Sequence, residues 1–274
     1  MHPIIFSFGG ITIYSFGLMM GISFLIGNYL LTQELKRRKY HPDLASNITL
    51  IALVAGVSGS KLLYALENFS ATMKDPVGMI FSPGGLTFYG GFILATFSIY
   101  LYVRKKNIPF IAVADAIAPA LLLSYGLARI GCHLAGDGDY GFPTSLPWGT
   151  DYSNGTYPPS AAFRGFPEVT SQFPGGIVPD TVLCHPTPVY ETIICSVFFY
   201  FLWKNRIKWT TPGRMFSTYL ILAGVERFSV EFFRLNPRLA LGLSEAQLIS
   251  LVLILLGVIG LNSALRVARS KEAA

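Results

Sequence analysis

Long runs of apolar residues, separated by short polar segments, follow one another along the whole chain. A helix that rises 1.5 Å per residue needs about 20 residues to cross a bilayer. Seven runs approach that length, at residues 11–31, 48–66, 86–103, 111–127, 189–203, 215–233 and 247–265. The pattern therefore predicts an all-α integral membrane protein with seven transmembrane helices.

Composition and charge placement strengthen this prediction and orient the helices. Only 13% of the residues are charged, roughly half the share usual in soluble domains. Most Lys and Arg residues lie in four segments that the helix count places on one side, and cytoplasmic loops hold such an excess. These segments are 36–39, 104–106, 204–214 and 266–271. We expect an N-terminus outside, a cytoplasmic C-terminus, and a net charge of +6 that reflects topology rather than nucleic-acid binding.

Residues 132–188 differ from the rest of the chain in being rich in proline, glycine and aromatic residues. Such a composition is typical of turns and short strands, and the segment is long for a simple connector. We predict three parts: residues 1–131 with helices 1–4, a small external head domain at 132–188, and residues 189–274 with helices 5–7 and a basic tail. Handling of a substrate outside the membrane is the expected use of the head.

Six ionisable residues fall near the outer ends of the predicted helices, and ionisable groups inside a membrane mark functional sites by default. They are Lys61, Arg129, Glu191, Arg227, Glu231 and Arg234. The last three share one helix face, because they are spaced i, i+4 and i+7. Glu231 is therefore expected to pair with either arginine. The two interpretations are a structural ion pair and an anion site, since arginine binds phosphate with two parallel hydrogen bonds.

The three cysteines are too few for a disulfide framework. Cys195 reads as a small core residue. Cys132 and Cys184 lie at the two ends of the external segment, and each precedes a histidine, so a disulfide and a zinc site are the alternatives for them. The zinc alternative lacks CxxC support, and we predict no metal and no cofactor.

Four stretches resemble the prolipoprotein diacylglyceryl transferase family. They read GLTFYGG, GLARIGCHLAGDGDYG, HPTPVYE and RFSVEFFR, in this order and on the predicted helices. The resemblance runs from about Gly17 to Arg234. It implies transfer of the diacylglyceryl group of phosphatidylglycerol to the cysteine thiol of a bacterial lipoprotein precursor, which forms a thioether and releases glycerol 1-phosphate. It also implies a site on the periplasmic side of the bacterial cytoplasmic membrane.

The resemblance assigns roles to individual positions. Arg129 matches the arginine of the family's signature stretch, and Arg227 matches the essential arginine of its sixth helix. We expect both to clamp the phosphate and stabilise the leaving charge. The remaining candidates for substrate binding are Lys61, Cys132, Asp137, Glu191, Glu231, Arg234, Gly90 and Gly91. The glycines have tight helix packing as their alternative role. The expected partners are phosphatidylglycerol, the lipobox cysteine of a prolipoprotein signal peptide, and the bilayer.

Three positions depart from the family pattern. Tyr89 stands where the family often has histidine, Cys132 where asparagine is usual, and Phe16 where tyrosine is common. Tyr89 becomes the candidate acceptor of the thiol proton, with hydrogen bonding to the headgroup as its alternative role. Two other functions remain open: a small-molecule transporter, and a divergent family member that binds phospholipid without catalysis.

Overall fold

Helices dominate the part of the chain that the computed structural model describes, which is residues 1–82, 85–234 and 236–272. Seven of the helices in these ranges have 17 or more residues. In chain order the helices are α1 (Ser15–Arg37), α2 (Asp43–Glu67), α3 (Phe69–Lys74), α4 (Pro76–Phe81), α5 (Phe88–Lys105), α6 (Phe110–Ala135), α7 (Pro159–Ala162), α8 (Pro167–Thr170), α9 (Thr187–Asn205), α10 (Arg214–Val230) and α11 (Glu245–Glu272). Short 3₁₀ turns lie at Pro174–Gly176 and Glu231–Phe233.

Four of the long helices have the length and apolar composition of a membrane span: Ser15–Arg37, Asp43–Glu67, Phe110–Ala135 and Glu245–Ser270. Large apolar side chains point outward along them, as at Leu25, Leu50 and Leu255. In water such a surface would be costly, whereas lipid chains cover it without penalty. The chain is therefore a mostly helical, multi-pass membrane protein, as the apolar runs predict.

In the described ranges, three antiparallel pairs of short strands accompany the helices. They are β1 (Ile4–Phe8) with β2 (Ile11–Tyr14), β3 (Thr150–Asp151) with β4 (Leu183–Cys184), and β5 (Arg238–Ala240) with β6 (Leu243–Ser244). The prediction that helix 1 begins at Ile11 is wrong, because residues 11–14 form β2. Gly9 and Gly10 both have positive φ (58° and 84°), and a two-residue turn of this kind folds a chain back into a hairpin.

The fourth predicted helix also has a different end. The apolar run that predicts this helix stops at residue 127, but α6 continues to Ala135. Gly136 ends it with a left-handed φ of 57°, and its N–H donates to the carbonyl of Cys132 at 2.9 Å. Glycine is common at this position because it adopts the left-handed conformation without a side-chain clash.

The chain divides into two compact units, one made of Met1–Gly27 with Ile117–Ala274 and the other of Asn28–Ala116. In the second unit α2 and α5 pack closely where Gly59 faces Gly90. A Cβ added at Gly90 would lie 2.3 Å from the carbonyl oxygen of Gly59, so only glycine fits there.

Among its described residues, the first unit has two apolar cores. One joins α6, α9 and α10 through Ala118, Leu122, Cys195, Leu202 and Met215. The other lies within the segment between α6 and α9 and is formed by Tyr140, Tyr152, Phe163, Val169, Val178 and Cys184. This segment, which we call the head, therefore has a core of its own.

Candidate active site

Glu191 on α9 is the centre of a buried ionic cluster in the first unit. Its carboxylate is 0% exposed, and its oxygens lie 2.8 Å from Arg129 Nε, 3.0 Å from Arg227 Nη1 and 3.5 Å from Arg234 Nη1. The Arg227 contact is a hydrogen bond. The other two are ion pairs without hydrogen-bond geometry. One carboxylate thus joins three arginines from three separate stretches of the chain.

Glu231 follows α10 and is the second fully buried acid of the cluster. Arg227 Nη2 lies 2.8 Å from Glu231 Oε2, and Arg234 Nε lies 3.9 Å from the same oxygen. The prediction that Glu231 pairs with either arginine is confirmed, and the carboxylate contacts both. Asn236 Nδ2 and Ser244 Oγ donate to its other oxygen at 2.7 and 2.6 Å, which fixes the position of the carboxylate.

Asp139 is the third acid and the most exposed of the three, at 33%. It accepts hydrogen bonds from Arg129 and from Arg234, the latter at 2.5 Å. Its backbone carbonyl accepts a hydrogen bond from Thr187 at 2.7 Å, which ties this loop to the start of α9. Burial alone would raise the pKa of the Asp139 carboxyl, but Arg234 and Arg129 outweigh burial and lower it to about 2.

The cluster thus holds three arginines and three carboxylates in direct contact. An anion site of Arg129 and Arg227 alone would carry positive charge for a ligand to meet. In the structure, Glu191, Glu231 and Asp139 already neutralise these arginines. An entering anion must therefore share or replace these carboxylates.

Asp137 and Cys132 lie beside the cluster. Arg129 Nη1 is 3.7 Å from the Cys132 sulfur, and the Asp139 N–H donates to Asp137 Oδ1 at 3.3 Å. Burial and the nearby Asp139 raise the pKa of the Asp137 carboxyl. Asp137 also lines a groove of about 390 Å³ whose other walls are Pro3, Tyr14, Phe16, Gly17, Ala135 and Thr156.

The cysteines do not form the disulfide that their positions suggest, because Cys132, Cys184 and Cys195 are all free thiols. The two adjacent histidines contact tyrosines instead: His133 Nδ1 lies 3.0 Å from Tyr152 Oη, and His185 Nδ1 lies 3.1 Å from Tyr190 Oη.

Ligand atoms of Cys132, Asp137 and Asp139 do lie within 4.8 Å of one another, a spacing that suits a metal ion. However, the Asp139 carboxylate is already bound to Arg129 and Arg234. The guanidinium groups thus supply the positive charge that a cation would bring.

The other predicted site residues lie in the second unit. Lys61 Nζ donates to the carbonyl of Ser82 at 2.6 Å and to its hydroxyl at 2.9 Å, so Lys61 binds the chain just after α4. Tyr89 is in the first turn of α5, and its ring meets Phe88 edge to face. Gly90 and Gly91 face backbone atoms of α2, which favours their packing role.

Three residues of the ionic cluster and its surroundings were missed at the sequence level. Asp139 follows Asp137 by two residues and reads as a second acid of one loop. Tyr125 accepts a hydrogen bond from Arg129 Nη2 at 3.0 Å, although its sequence position suggests only helix core. Glu226 on α10 is buried, and its Oε1 has no hydrogen-bond partner among the residues that the structure describes. The only signal for Glu226 was an acidic residue within an apolar run.

Together these features define a class: a multi-pass helical membrane protein with a charged, arginine-rich cluster beside a small head. Residues 3–262 match the family model of prolipoprotein diacylglyceryl transferase. The chain belongs to this family.

Curated relatives of the same family match this chain over nearly their full length. The phosphatidylglycerol–prolipoprotein diacylglyceryl transferase of Clostridium tetani is 34% identical over 96% of this chain and 97% of the relative. A second enzyme of that name from Clostridium perfringens is 30% identical over 92% and 91%. The one from Clostridioides difficile is 28% identical over 94% of each chain.

Proposed function

We propose that this chain transfers the diacylglyceryl group of phosphatidylglycerol to the lipobox cysteine of bacterial prolipoproteins. The observation that carries the proposal is the convergence of Arg129, Arg227 and Arg234 on Glu191, within a chain that matches the family over residues 3–262. The relatives are named for this donor and this acceptor.

The reaction needs a sulfur nucleophile and a stabilised phosphate leaving group. The thiolate of the lipobox cysteine attacks the glyceryl carbon that carries the phosphate ester, because the thiolate is the reactive form. A carbon–sulfur bond forms, the carbon–oxygen bond to phosphate breaks, and glycerol 1-phosphate leaves with that electron pair. The thiol proton passes to a base on the protein. Arginines placed where the charge develops stabilise the transition state.

The phosphate enters the cluster from the side of its most accessible members. Arg227 is the most exposed of the three arginines, at 23%, and Asp139 is the most exposed acid. Arg234 Nη2 binds the Asp139 carboxylate at 2.5 Å, so it is a donor that a phosphate oxygen can take over when it displaces Asp139. A phosphodiester with one negative charge replaces Asp139 as a partner of Arg129 and Arg234 and keeps the cluster neutral.

Tyr89 is our candidate for the base that accepts the thiol proton. Its side chain is exposed, at 41%, in the first turn of α5. A general base contributes roughly 10²- to 10⁴-fold to a rate. Tyr89→Phe should therefore lower transfer by at least about 100-fold, and a variant with full activity would remove this assignment.

The topology completes the proposal. All seven long helices cross the bacterial cytoplasmic membrane, with the N-terminus outside and the basic C-terminal end in the cytoplasm. The head, which lies between α6 and α9, separates the first four long helices from the last three and faces the periplasm. The position of the ionic cluster supports a site on the periplasmic side, because Asp139 lies just past the end of α6, where the head begins. The basic segments lie at the opposite helix ends.

A reconstituted reaction tests the function. Purified protein is incubated with phosphatidylglycerol and a lipobox peptide, and the diacylglyceryl thioether is sought by mass spectrometry. We expect product with the parent chain, and none with a peptide whose cysteine is replaced by serine. Arg129→Ala and Arg227→Ala should abolish it, whereas Arg266→Ala, an exposed arginine of α11, should not.

The alternative functions are outcomes of the same experiment. A folded preparation that binds phosphatidylglycerol without forming product would identify a lipid-binding relative. A folded preparation that neither binds phosphatidylglycerol nor forms product would leave a small-molecule transporter as the remaining function.

A further inference from the structure

Two short hairpins of the first unit lead directly into apolar helices. β1–β2 turns at Gly9–Gly10 and continues into α1, and β5–β6 turns at Leu241–Gly242 and continues into α11. Both helices qualify as membrane spans. Each hairpin therefore stands where the chain enters the apolar part of the molecule.

The first hairpin exposes apolar side chains on both faces. Neighbouring strand residues point to opposite faces, yet Ile5 and Phe6 are both about half exposed, and Phe8 beside the turn is 75% exposed. Residues 3–14 contain no charged side chain. A two-stranded hairpin is at best marginally stable in water, so this one needs an apolar environment around it.

The tip of the second hairpin gives independent evidence. Leu241 has a left-handed φ of 56° and is 95% exposed. Asparagine, aspartate or glycine is usual at such a turn position, because the left-handed conformation is strained for other side chains. A leucine here has both an unfavourable backbone and an unfavourable exposure to water. An apolar medium around the tip removes the second cost.

The head shows that the chain can bury aromatic groups outside its long helices. Tyr140, Tyr152 and Phe163 are at most 2% exposed there. The hairpin tips differ, because Phe8 and Leu241 remain 75% and 95% exposed within the described part of the chain. Their direct continuity with α1 and α11 favours one occupant, the interface of the bilayer that these helices enter.

Both hairpins also border the ionic site. Ser244, in β6, donates to Glu231, and Tyr14, at the end of β2, lines the groove that contains Asp137. Arg238, at the base of the second hairpin, is held by Gln247 through a 2.8 Å hydrogen bond, away from the apolar tip. We propose that the two hairpins insert their apolar tips into the bilayer interface and hold the ionic cluster at the depth of phospholipid headgroups. This inference does not depend on the transfer chemistry.

Site-directed fluorescence tests the proposal. The native cysteines are buried, so an environment-sensitive dye reacts selectively with Phe8→Cys or Leu241→Cys in the full chain. The labelled protein is placed in nanodiscs that hold one copy each, with or without a lipid spin-labelled near its headgroup. Glu168→Cys, an exposed position of the head on α8, is the matched control, and Leu239→Cys replaces Leu241→Cys if the latter misfolds.

We expect spin-labelled lipid to quench both hairpin labels at least roughly two-fold, since interfacial segments lie about 5–10 Å into the headgroup and acyl boundary. The control label should remain unquenched. Hairpin labels that behave like the control would overturn the proposal. A dye that is shielded from water yet unquenched would mean that protein covers the tip, and quenching at one hairpin alone would disprove the paired arrangement.

Discussion

Glu191→Gln is the substitution that probes the ionic cluster most sharply, because it removes one charge and almost no volume. Glu191 is 0% exposed and faces three arginines at 2.8, 3.0 and 3.5 Å. Removing one partner of a buried ion pair costs about 3–5 kcal/mol. Asp139 and Glu231 still give each arginine one carboxylate, so we expect the lower end, about 3 kcal/mol. The folding constant then falls by roughly two orders of magnitude.

The assay is the free energy of unfolding in mixed micelles, measured for the parent chain and for two variants. Glu168→Gln makes the same chemical change at an exposed head position and should stay within about 0.5 kcal/mol of the parent. If Glu191→Gln unfolds as the control does, the buried carboxylate does not hold the arginines together, and the cluster described above is wrong.

Three further predictions follow from the structure. Arg129→Lys should lower kcat/KM by about 10²-fold, as loss of one stabiliser of transition-state charge does, and a value within about threefold of the parent would contradict the clamp. Because the pKa of Asp139 is lowered to about 2 from about 3.9 when unfolded, its ion pairs contribute full stability above roughly pH 4 and lose it as pH falls through about 2. The unfolding midpoint of the parent chain should fall with pH in this range, and Asp139→Asn should remove most of that pH dependence. The same pH dependence in the variant and the parent would refute the assignment. Gly90→Ala should destabilise the protein by about 1–3 kcal/mol through overpacking. Gly21→Ala is the control, because nothing lies near its added methyl group. Equal melting temperatures of the two variants would show that α2 and α5 are not in close contact.

The features that the sequence predicts correctly are those encoded by neighbouring residues. The apolar runs are long enough that all seven long helices were expected, and the helical spacing of Arg227, Glu231 and Arg234 was sufficient to predict their pairing. These features are local, because a run or a helix face is read from neighbouring residues.

The features of the structure that the sequence does not predict depend on contacts between distant residues or on single backbone angles. Asp139 bonds to Arg234, 95 residues away in the chain, and no pattern in either stretch shows that contact. The hairpin at the N-terminus has apolar residues on both faces, so the alternation that marks a strand is absent and the apolar run resembled a helix start. The fourth apolar run stops at residue 127, yet α6 continues past Gly131, which lies close to the backbone of Phe16, and Gly136 ends the helix.

The most direct test of the account measures both products of one reaction together. Parent protein, phosphatidylglycerol and a lipobox peptide are incubated, and the peptide thioether and free glycerol 1-phosphate are quantified in the same samples over time. We predict that the two appear in equal molar amounts and that Arg129→Ala abolishes both. Glycerol 1-phosphate released without any thioether, or a thioether formed equally well without Arg129, would contradict transfer at the arginine cluster.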